Sequence, residues 1–357
     1  MVKPLIIRVV GQNGGGGSAV YCYQLNMYLE EQGFETLTFI PRPTFDDRYT
    51  LQGKVGLDYR HSTSFLAVAW QALKNRKRLL FIHSHLRNAT FWMYLLTSIL
   101  SVRHVVTAHI PLYEDVPTFK DRVLSKMFGF ALKDASLSLF ISKFAAEKVC
   151  HQAGVSFSKL DAAIVYNGSN GPSVVRYLAR EEHPLRICVV GELTARKNSA
   201  DLIWLAKRLH EAGLEERVVI SVFGRGPGEA ELAETSVITK LLHLKGYESD
   251  VDQIYENSHL HMILSKNEAF GRVVTEAMAR SIPTVCYRAG AFPELIDNGK
   301  DGFLVDSRDE LLACVRMLLA DPRRLERVGA ASRQTFESSG IGGMLIPHVR
   351  WTNFCSK

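Results

Sequence analysis

Ser265-Lys-Asn-Glu-Ala-Phe-Gly-Arg-Val-Val-Thr-Glu-Ala-Met-Ala279 follows the apolar run Leu260 to Leu264. It reads as the end of a buried strand, a short turn and the first turns of a helix. Gly271 sits where the first helical N–H groups lack intrahelical partners, and such groups attract phosphate. Glu268 precedes the helix and Glu276 lies one to two turns inside it, roughly 10 Å apart along the axis at 1.5 Å per residue. That spacing matches the sugar and the ribose of a nucleotide-diphosphate sugar, with the helix start holding the diphosphate. The alternative is a solvated helix in which Glu276 pairs with Arg272 or Arg280 at i±4.

The same strand–turn–helix unit recurs outward from this stretch. Apolar runs at Leu5–Val10, Thr36–Ile40, Leu79–His83, Val102–Ala108 and Ser136–Ile141 alternate with helical patterns at Ala19–Gln32, Phe91–Leu100 and Lys120–Leu132. A second series follows: strands Arg186–Val190, Val218–Phe223, Lys240–Leu244, Leu260–Leu264 and Thr284–Cys286, with helices Ser199–Ala212, Val273–Arg280 and Asp309–Ala320. Short apolar strands separated by helices predict parallel sheets covered on both faces. Two such series predict an α/β protein of two doubly wound domains, residues 1–170 and 171–338, with ligand at the carboxyl ends of the strands in the cleft between them. Gly168–Pro184, rich in Gly, Ser, Pro and charge, reads as the link. Residues 339–357 contain Pro347 and Trp351 and read as a tail that docks back on the first domain.

A 46% hydrophobic fraction over 357 residues is ample for two cores. The six cysteines have no C-x-x-C or ligand-like spacing, which fits free thiols in a reducing cytosol. The amino terminus has only a short apolar run, unlike a signal peptide, and Phe91 to Leu100 is half of the ~20 residues that span a bilayer. A cytoplasmic protein, soluble or peripheral at the inner face of the membrane, is expected. Residues 1–170 hold 19 Lys and Arg against 12 Asp and Glu, a net +7, whereas the remainder is −1. Lys74, Arg76, Lys77 and Arg78 form the densest cluster, pointing to an anionic membrane surface or to a solvated helix end; no nucleic-acid partner is expected.

Gly11-Gln-Asn-Gly-Gly-Gly-Gly-Ser18 opens a helix after the first strand. The second strand ends Phe39-Ile40-Pro41 without a carboxylate for a ribose, which argues against a dinucleotide-dependent dehydrogenase. No Gly-Lys-Ser/Thr is present, so a P-loop is excluded. The glycines instead leave room for close approach, Gly15 and Gly16 among them. His83, His85 and His109 follow strand ends without a carboxylate at ligand spacing, so hydrogen bonding to a ligand hydroxyl is favoured over metal. Asp250-Val-Asp252 resembles a metal-binding D-x-D but reads better as a helix cap. Lys197 and Arg196 lie after a strand, within reach of a diphosphate, and Gly224-Arg-Gly-Pro-Gly228 is a tight turn whose amides suit a nucleotide.

Taken together, these pieces resemble the retaining glycosyltransferases of family 4, which have the GT-B fold of two Rossmann-like domains. The resemblance runs over nearly the whole chain. It includes Thr107-Ala-His109, Ile141-Ser-Lys143, Val165-Tyr-Asn-Gly168, Gly191 to Asn198, Phe223-Gly-x-Gly226-Pro227, Gly246-Tyr247 and the Glu268-x7-Glu276 pair. It continues through Ile282-Pro-Thr-Val285, Phe292-Pro-Glu-Leu295 and Asp301-Gly-Phe-Leu-Val305. It implies a UDP- or GDP-linked sugar donor held by the second domain, a saccharide acceptor on the first, and no cofactor or obligatory metal. By motif, Glu268 would hold sugar hydroxyls. Ala269, Phe270, Gly271, Arg272 and Val273 would line sugar and phosphate, and Glu276 would bind ribose. Lys197 with Arg196 would counter the diphosphate, the base would rest near Gly246 and Tyr247, and His109 would sit near the transferred sugar. A hexosyltransferase acting on a lipid-linked saccharide in surface polysaccharide synthesis is the expected activity; the alternatives are a small-molecule glycosyltransferase and a silent binding or scaffold subunit. Glu192 stands where many relatives carry a diphosphate-binding Arg, and Phe336-Glu337 is followed by Ser-Ser-Gly-Ile-Gly-Gly.

Overall fold

The computed structural model describes residues 3–11, 17–40, 59–61, 65–109, 118–169, 171–172 and 184–339. The chain divides into two compact units that meet at Asn167 and Gly168. Gly15, Gly16 and the expected carboxyl-terminal tail beyond Ser339 lie outside the described residues.

Unit 1 contains β1 (Leu5–Val10), α1 (Gly17–Glu31), β2 (Glu35–Ile40), β3 (Tyr59–His61), α2 (Phe65–Lys74), β4 (Leu79–His85) and α3 (Arg87–Leu100). It continues with β5 (His104–Ala108), α4 (Phe119–Asp134), β6 (Leu137–Phe140), α5 (Lys143–Ala153) and β7 (Ala162–Ile164). Its seven-stranded parallel sheet has the order β3-β2-β1-β4-β5-β6-β7. Ile6, Val10, Leu25, Leu29 and Phe81 pack one face, and Ile7, Phe39, Val68, Ile82 and Met93 pack the other. Burial on both faces is why these strands read as unbroken apolar runs.

Unit 2 begins with β8 (Leu185–Val190), α6 (Ser199–Glu211), β9 (Val218–Phe223), α7 (Glu229–Thr239), β10 (Leu242–Gly246), α8 (Val251–Tyr255) and β11 (Leu260–Ile263). After these come α9 (Arg272–Met278), β12 (Thr284–Tyr287), α10 (Phe292–Leu295), β13 (Phe303–Val305), α11 (Arg308–Ala320) and α12 (Pro322–Ser338). The six strands run in the order β10-β9-β8-β11-β12-β13, all parallel.

In both sheets the strand order reverses once, between β1 and β4 and between β8 and β11. The loops leaving those strands part at their carboxyl ends and open a crevice, the usual ligand position in such sheets. Strand β10 starts at Leu242 rather than the expected Lys240, because Lys240 takes a left-handed conformation (φ 56°) and caps α7. The expected helix Val273–Arg280 is observed as Arg272–Met278.

Candidate active site

The turn after β11 carries Glu268, and the turn after β8 carries Lys197, so the two loops at the reversal point of unit 2 supply both groups. Lys197 Nζ donates to Glu268 Oε2 at 2.6 Å across 71 residues of sequence. Arg196 places a second cation 3.7 Å from the same oxygen, and Ser265 Oγ donates to it at 3.4 Å. Gly191, Glu192, Lys197, Asn198 and Leu264 line a small recess at these strand ends.

Lys197 closes a single 3-10 turn, Ala195–Lys197, that Asn198 ends in the left-handed region (φ 60°). Asn198 Nδ2 donates to Leu264 O at 3.1 Å and to Asp201 Oδ2 at 2.6 Å, tying the β8 loop to the end of β11. Asp201 is itself buried and held by Tyr287 Oη at 2.6 Å and by Arg308 at 2.5 Å, with Lys266 3.5 Å away. Burial pushes its carboxyl up, but the hydrogen bonds from Tyr287, Asn198 and Arg308 and the Lys266 charge pull it below the usual range. Asp201 was not legible as a site residue; an acidic residue in a first helical turn is ordinary.

Glu268 is fixed from behind by Gly290. Ala291 N donates to Glu268 O at 2.9 Å. A Cβ on Gly290 would come within 2.6 Å of that oxygen and 2.7 Å of Glu268 N, and Gly290 has φ 59°. Gly271 (φ 91°) caps α9, and a Cβ there would meet the Phe292 ring at 2.6 Å. Both glycines let α9 and the loop after β12 close on the Glu268 turn.

Glu276 pairs with Arg272 at 3.2 Å in i,i+4 register, and Arg280 Nη1 donates to the Glu276 carbonyl at 2.9 Å. The helix-face pairing that competed with a site reading is therefore present. The Glu276 side chain is nevertheless largely buried, at 16% exposure. Burial raises its carboxyl above the usual range against the pull of Arg272 and Arg280, an environment that a solvated helix face does not provide. Tyr255 Oη donates to Val273 O at 2.9 Å, anchoring the first turn of α9.

One sequence expectation changes and one holds: the Gly224–Gly228 turn does not act as read, whereas Asp250 caps a helix as expected. The amides of Gly224 and Gly228 do not face a ligand: they donate to Gly246 O at 2.7 Å and Leu193 O at 2.9 Å. A Cβ on Gly224 would meet Gly191 O at 1.9 Å, and one on Gly226 would meet Leu193 O at 2.5 Å. These glycines exist so that the β8 and β9 loops can touch. Asp250 accepts from the amides of Asp252 and Gln253 as the N-cap of α8, while Asp252 pairs with Arg280 at 2.7 Å. Gly246 ends β10 with φ 71°, and Tyr247 beside it is half-exposed.

In unit 1 the reversal point gathers histidines. His85 ends β4 and His109 follows β5; His85 Nδ1 and His109 Nε2 lie 2.9 Å apart, both rings buried. Burial, followed by the nearby Arg8 charge, lowers His109 to about 3. His83 does not share this contact and instead bonds Thr107 Oγ1 at 2.7 Å. Cys22, His85 and His109 each bring one potential metal-ligand atom within 4.8 Å of the others. The donor set argues against a cation there. Arg8 places its guanidinium against His85 Nε2 at 2.7 Å, the other His85 nitrogen faces His109, and burial pushes the Cys22 thiol up.

With this geometry in view, two family models account for most of the chain: "Glycosyltransferase Family 4" over residues 15–170 and "Glycosyl transferases group 1" over residues 176–335. The chain belongs to glycosyltransferase family 4. A curated relative, the sulfoquinovosyl transferase SQD2 of Arabidopsis thaliana, is 30% identical over 162 residues, 44% of this chain. That match spans only 30% of the relative's own length. A glycosyltransferase structure from Rickettsia africae superimposes with TM-score 0.81 at 17% identity, covering 100% of this chain and 99% of that one. HepE of Anabaena, in complex with UDP and glucose, gives TM-score 0.78 at 16% identity, covering 99% and 100%. The fold is thus that of the two-domain GT-B glycosyltransferases. Among the described residues, Lys197, Arg196 and Ser265 converge on one oxygen of Glu268, and Glu276 lies one turn into α9. Cys22, Cys150, Cys188, Cys286 and Cys314 are free and buried.

Proposed function

We propose that the protein is a retaining hexosyltransferase that takes its sugar from a nucleotide diphosphate. The observation that carries this reading is the convergence of Lys197 and Glu268 at the reversal point of a family 4 sheet. Without donor, the ammonium and carboxylate neutralise each other. With donor, Lys197 and Arg196 turn to the diphosphate, and Glu268 accepts hydrogen bonds from the sugar hydroxyls. Glu276 takes the ribose through the oxygen that Arg272 leaves available, and His109 serves a hydroxyl of the transferred sugar.

In the chemical step the anomeric C–O bond to phosphate breaks as the acceptor oxygen bonds the same face. The departing phosphate oxygen collects the acceptor's proton, so no side-chain base is required. Arg196 offsets the like charge of Glu192, an exposed residue of the same loop. A UDP- or GDP-linked donor, no obligatory metal and a saccharide acceptor complete the reading; the UDP and glucose in the HepE complex favour UDP.

A panel of UDP-, GDP- and ADP-sugars tests it. Turnover of one donor is expected; absence of turnover together with no thermal shift from any nucleotide would leave only a silent binding subunit. With the active donor, Glu276→Ala is expected to weaken nucleotide binding about tenfold or more, whereas Glu268→Ala mainly lowers kcat. Equal donor affinity in wild type and Glu276→Ala would refute that division.

A lipid-linked saccharide of a surface polysaccharide, met at the inner face of the cytoplasmic membrane, is the acceptor we favour, on the evidence of α2. Leu66, Trp70 and Leu73 project from it at 76%, 67% and 51% exposure, at the i, i+4, i+7 spacing of one helical face. Lys74, Arg76 and Lys77 adjoin this stripe with no acidic partner among the described residues, whereas Arg78 is engaged by Glu35. An apolar stripe edged with cations suits an anionic bilayer surface. No helix among the described residues is long and apolar enough to cross a membrane. Sedimentation with anionic vesicles should fall in a Trp70→Ser/Lys74→Ser/Lys77→Ser variant; unchanged sedimentation would favour a small-molecule acceptor.

A further inference from the structure

We infer that Arg8 is a positioning residue that sets the tautomer of His109 through His85. The inference rests on the reading that His109 meets the sugar substrate, and it adds which ring nitrogen does so. Arg8 lies in β1 and is completely buried, yet no carboxylate pairs with it among the described residues. Its Nη1 donates to Cys22 O at 2.7 Å and to Asn26 Oδ1, and Asn26 Nδ2 donates in turn to Thr38 Oγ1 at 2.8 Å. Neutral oxygens from α1 thus hold the guanidinium in place.

Its remaining Nη2 lies 2.7 Å from His85 Nε2. A guanidinium has donors and no acceptor, so His85 Nε2 must be the unprotonated nitrogen. The His85 proton therefore sits on Nδ1, which faces His109 Nε2 at 2.9 Å. That nitrogen must accept, and the His109 proton is driven to Nδ1. His85 stays neutral throughout, because burial and the neighbouring His83 and Arg8 charges lower it well below its ordinary range. Tyr21 packs edge-on against both rings, at centroid distances of 6.2 and 5.2 Å, and restrains their rotation.

The chain of donors ends at His109 Nδ1, a buried atom with no partner among the described residues. A buried N–H without a partner among the described residues is the group expected where a ligand oxygen completes the bond. With Nδ1–H fixed, His109 can only donate, so the bond it offers goes to a hydroxyl or ring oxygen of the sugar. It does not accept a substrate proton, in agreement with a mechanism that places the base on the leaving phosphate.

Nitrogen-15 NMR of the full-length protein with labelled histidine reads the tautomer directly, with His109→Gln assigning the signal. In the wild type at neutral pH, His109 is expected to be protonated at Nδ1 and bare at Nε2. Arg8→Gln, which can accept as well as donate, should populate the opposite tautomer and lower kcat roughly tenfold, the worth of one directed hydrogen bond. Arg8→Lys, which can only donate, should retain the wild-type tautomer. If Arg8→Gln fails to fold, Asn26→Ala loosens the guanidinium more gently and should shift the same two resonances in the same direction. A wild-type His109 protonated at Nε2, or an Arg8→Gln tautomer unchanged from wild type, would overturn the inference. The spectrum needs no substrate, so it is decided separately from the transferase reading, which fails instead if no donor turns over.

Discussion

Lys197→Ala is expected to lower turnover of the nucleotide-sugar donor by about two to three orders of magnitude, the usual cost of removing one preorganised charge from a site where negative charge develops. The geometry explains why Arg196 does not compensate in full. Lys197 reaches Glu268 Oε2 at 2.6 Å, whereas Arg196 stands 3.7 Å from it and is the more exposed of the two. Solvent screens the more exposed cation more strongly, so its effect on a leaving diphosphate is smaller. The loss should appear chiefly in kcat, because charge on the departing phosphate grows as the bond breaks; affinity for the free nucleotide should fall about tenfold or less. Initial rates at saturating donor, paired with nucleotide titration, check this. Turnover within about threefold of wild type would mean that Lys197 only buttresses Glu268.

The second large effect is on stability. Gly224→Ala is expected to cost about 2–5 kcal/mol, from overpacking added to backbone strain. The new Cβ would fall 1.9 Å from Gly191 O, a backbone atom that moves only if the β8 loop moves, and φ at Gly224 is 143°. Gly213 provides the control: its φ is 66°, but nothing lies within 4 Å of an added Cβ. Gly213→Ala should therefore cost only the left-handed strain, about 1–2 kcal/mol. Thermal unfolding of the two variants separates space from conformation. Equal losses would show that the contact between the β8 and β9 loops relaxes freely. A Gly224→Ala protein that still folds should also bind nucleotide more weakly, because the displaced loop carries Lys197.

Several elements that escaped a sequence reading carry too weak a local signal. Helix α5 buries Ala145, Ala146, Val149, Cys150 and Ala153, so its inner face is made of small residues that produce little apolar periodicity. Helix α12 buries Leu325, Val328, Gly329, Ser332 and Phe336, and the glycine and serine in that face interrupt the pattern. Strands β3, β7 and β13 have three residues each, too few for a period to register. Strand β10 was misplaced by two residues because the apolar signal does not reveal that Lys240 takes a left-handed φ.

By itself the sequence determined the two parallel α/β series, the family, and the identities of Lys197, Glu268, Glu276 and His109 as candidates. Those conclusions rest on apolar runs and motif spacing, which are local properties of the chain. Only the tertiary structure decided what these residues touch. Lys197 meets Glu268 because β8 and β11 are neighbours in the sheet though far apart in sequence. Gly290 can back Glu268, and Gly224 can admit Gly191, only because loops from different strands close on one another. Arg8, an unremarkable charge in an apolar strand, acquires its role from the burial that leaves His85 as an acceptor for its third contact. Contacts between distant segments depend on strand order and close packing, and neither is written in the spacing of residues along one stretch.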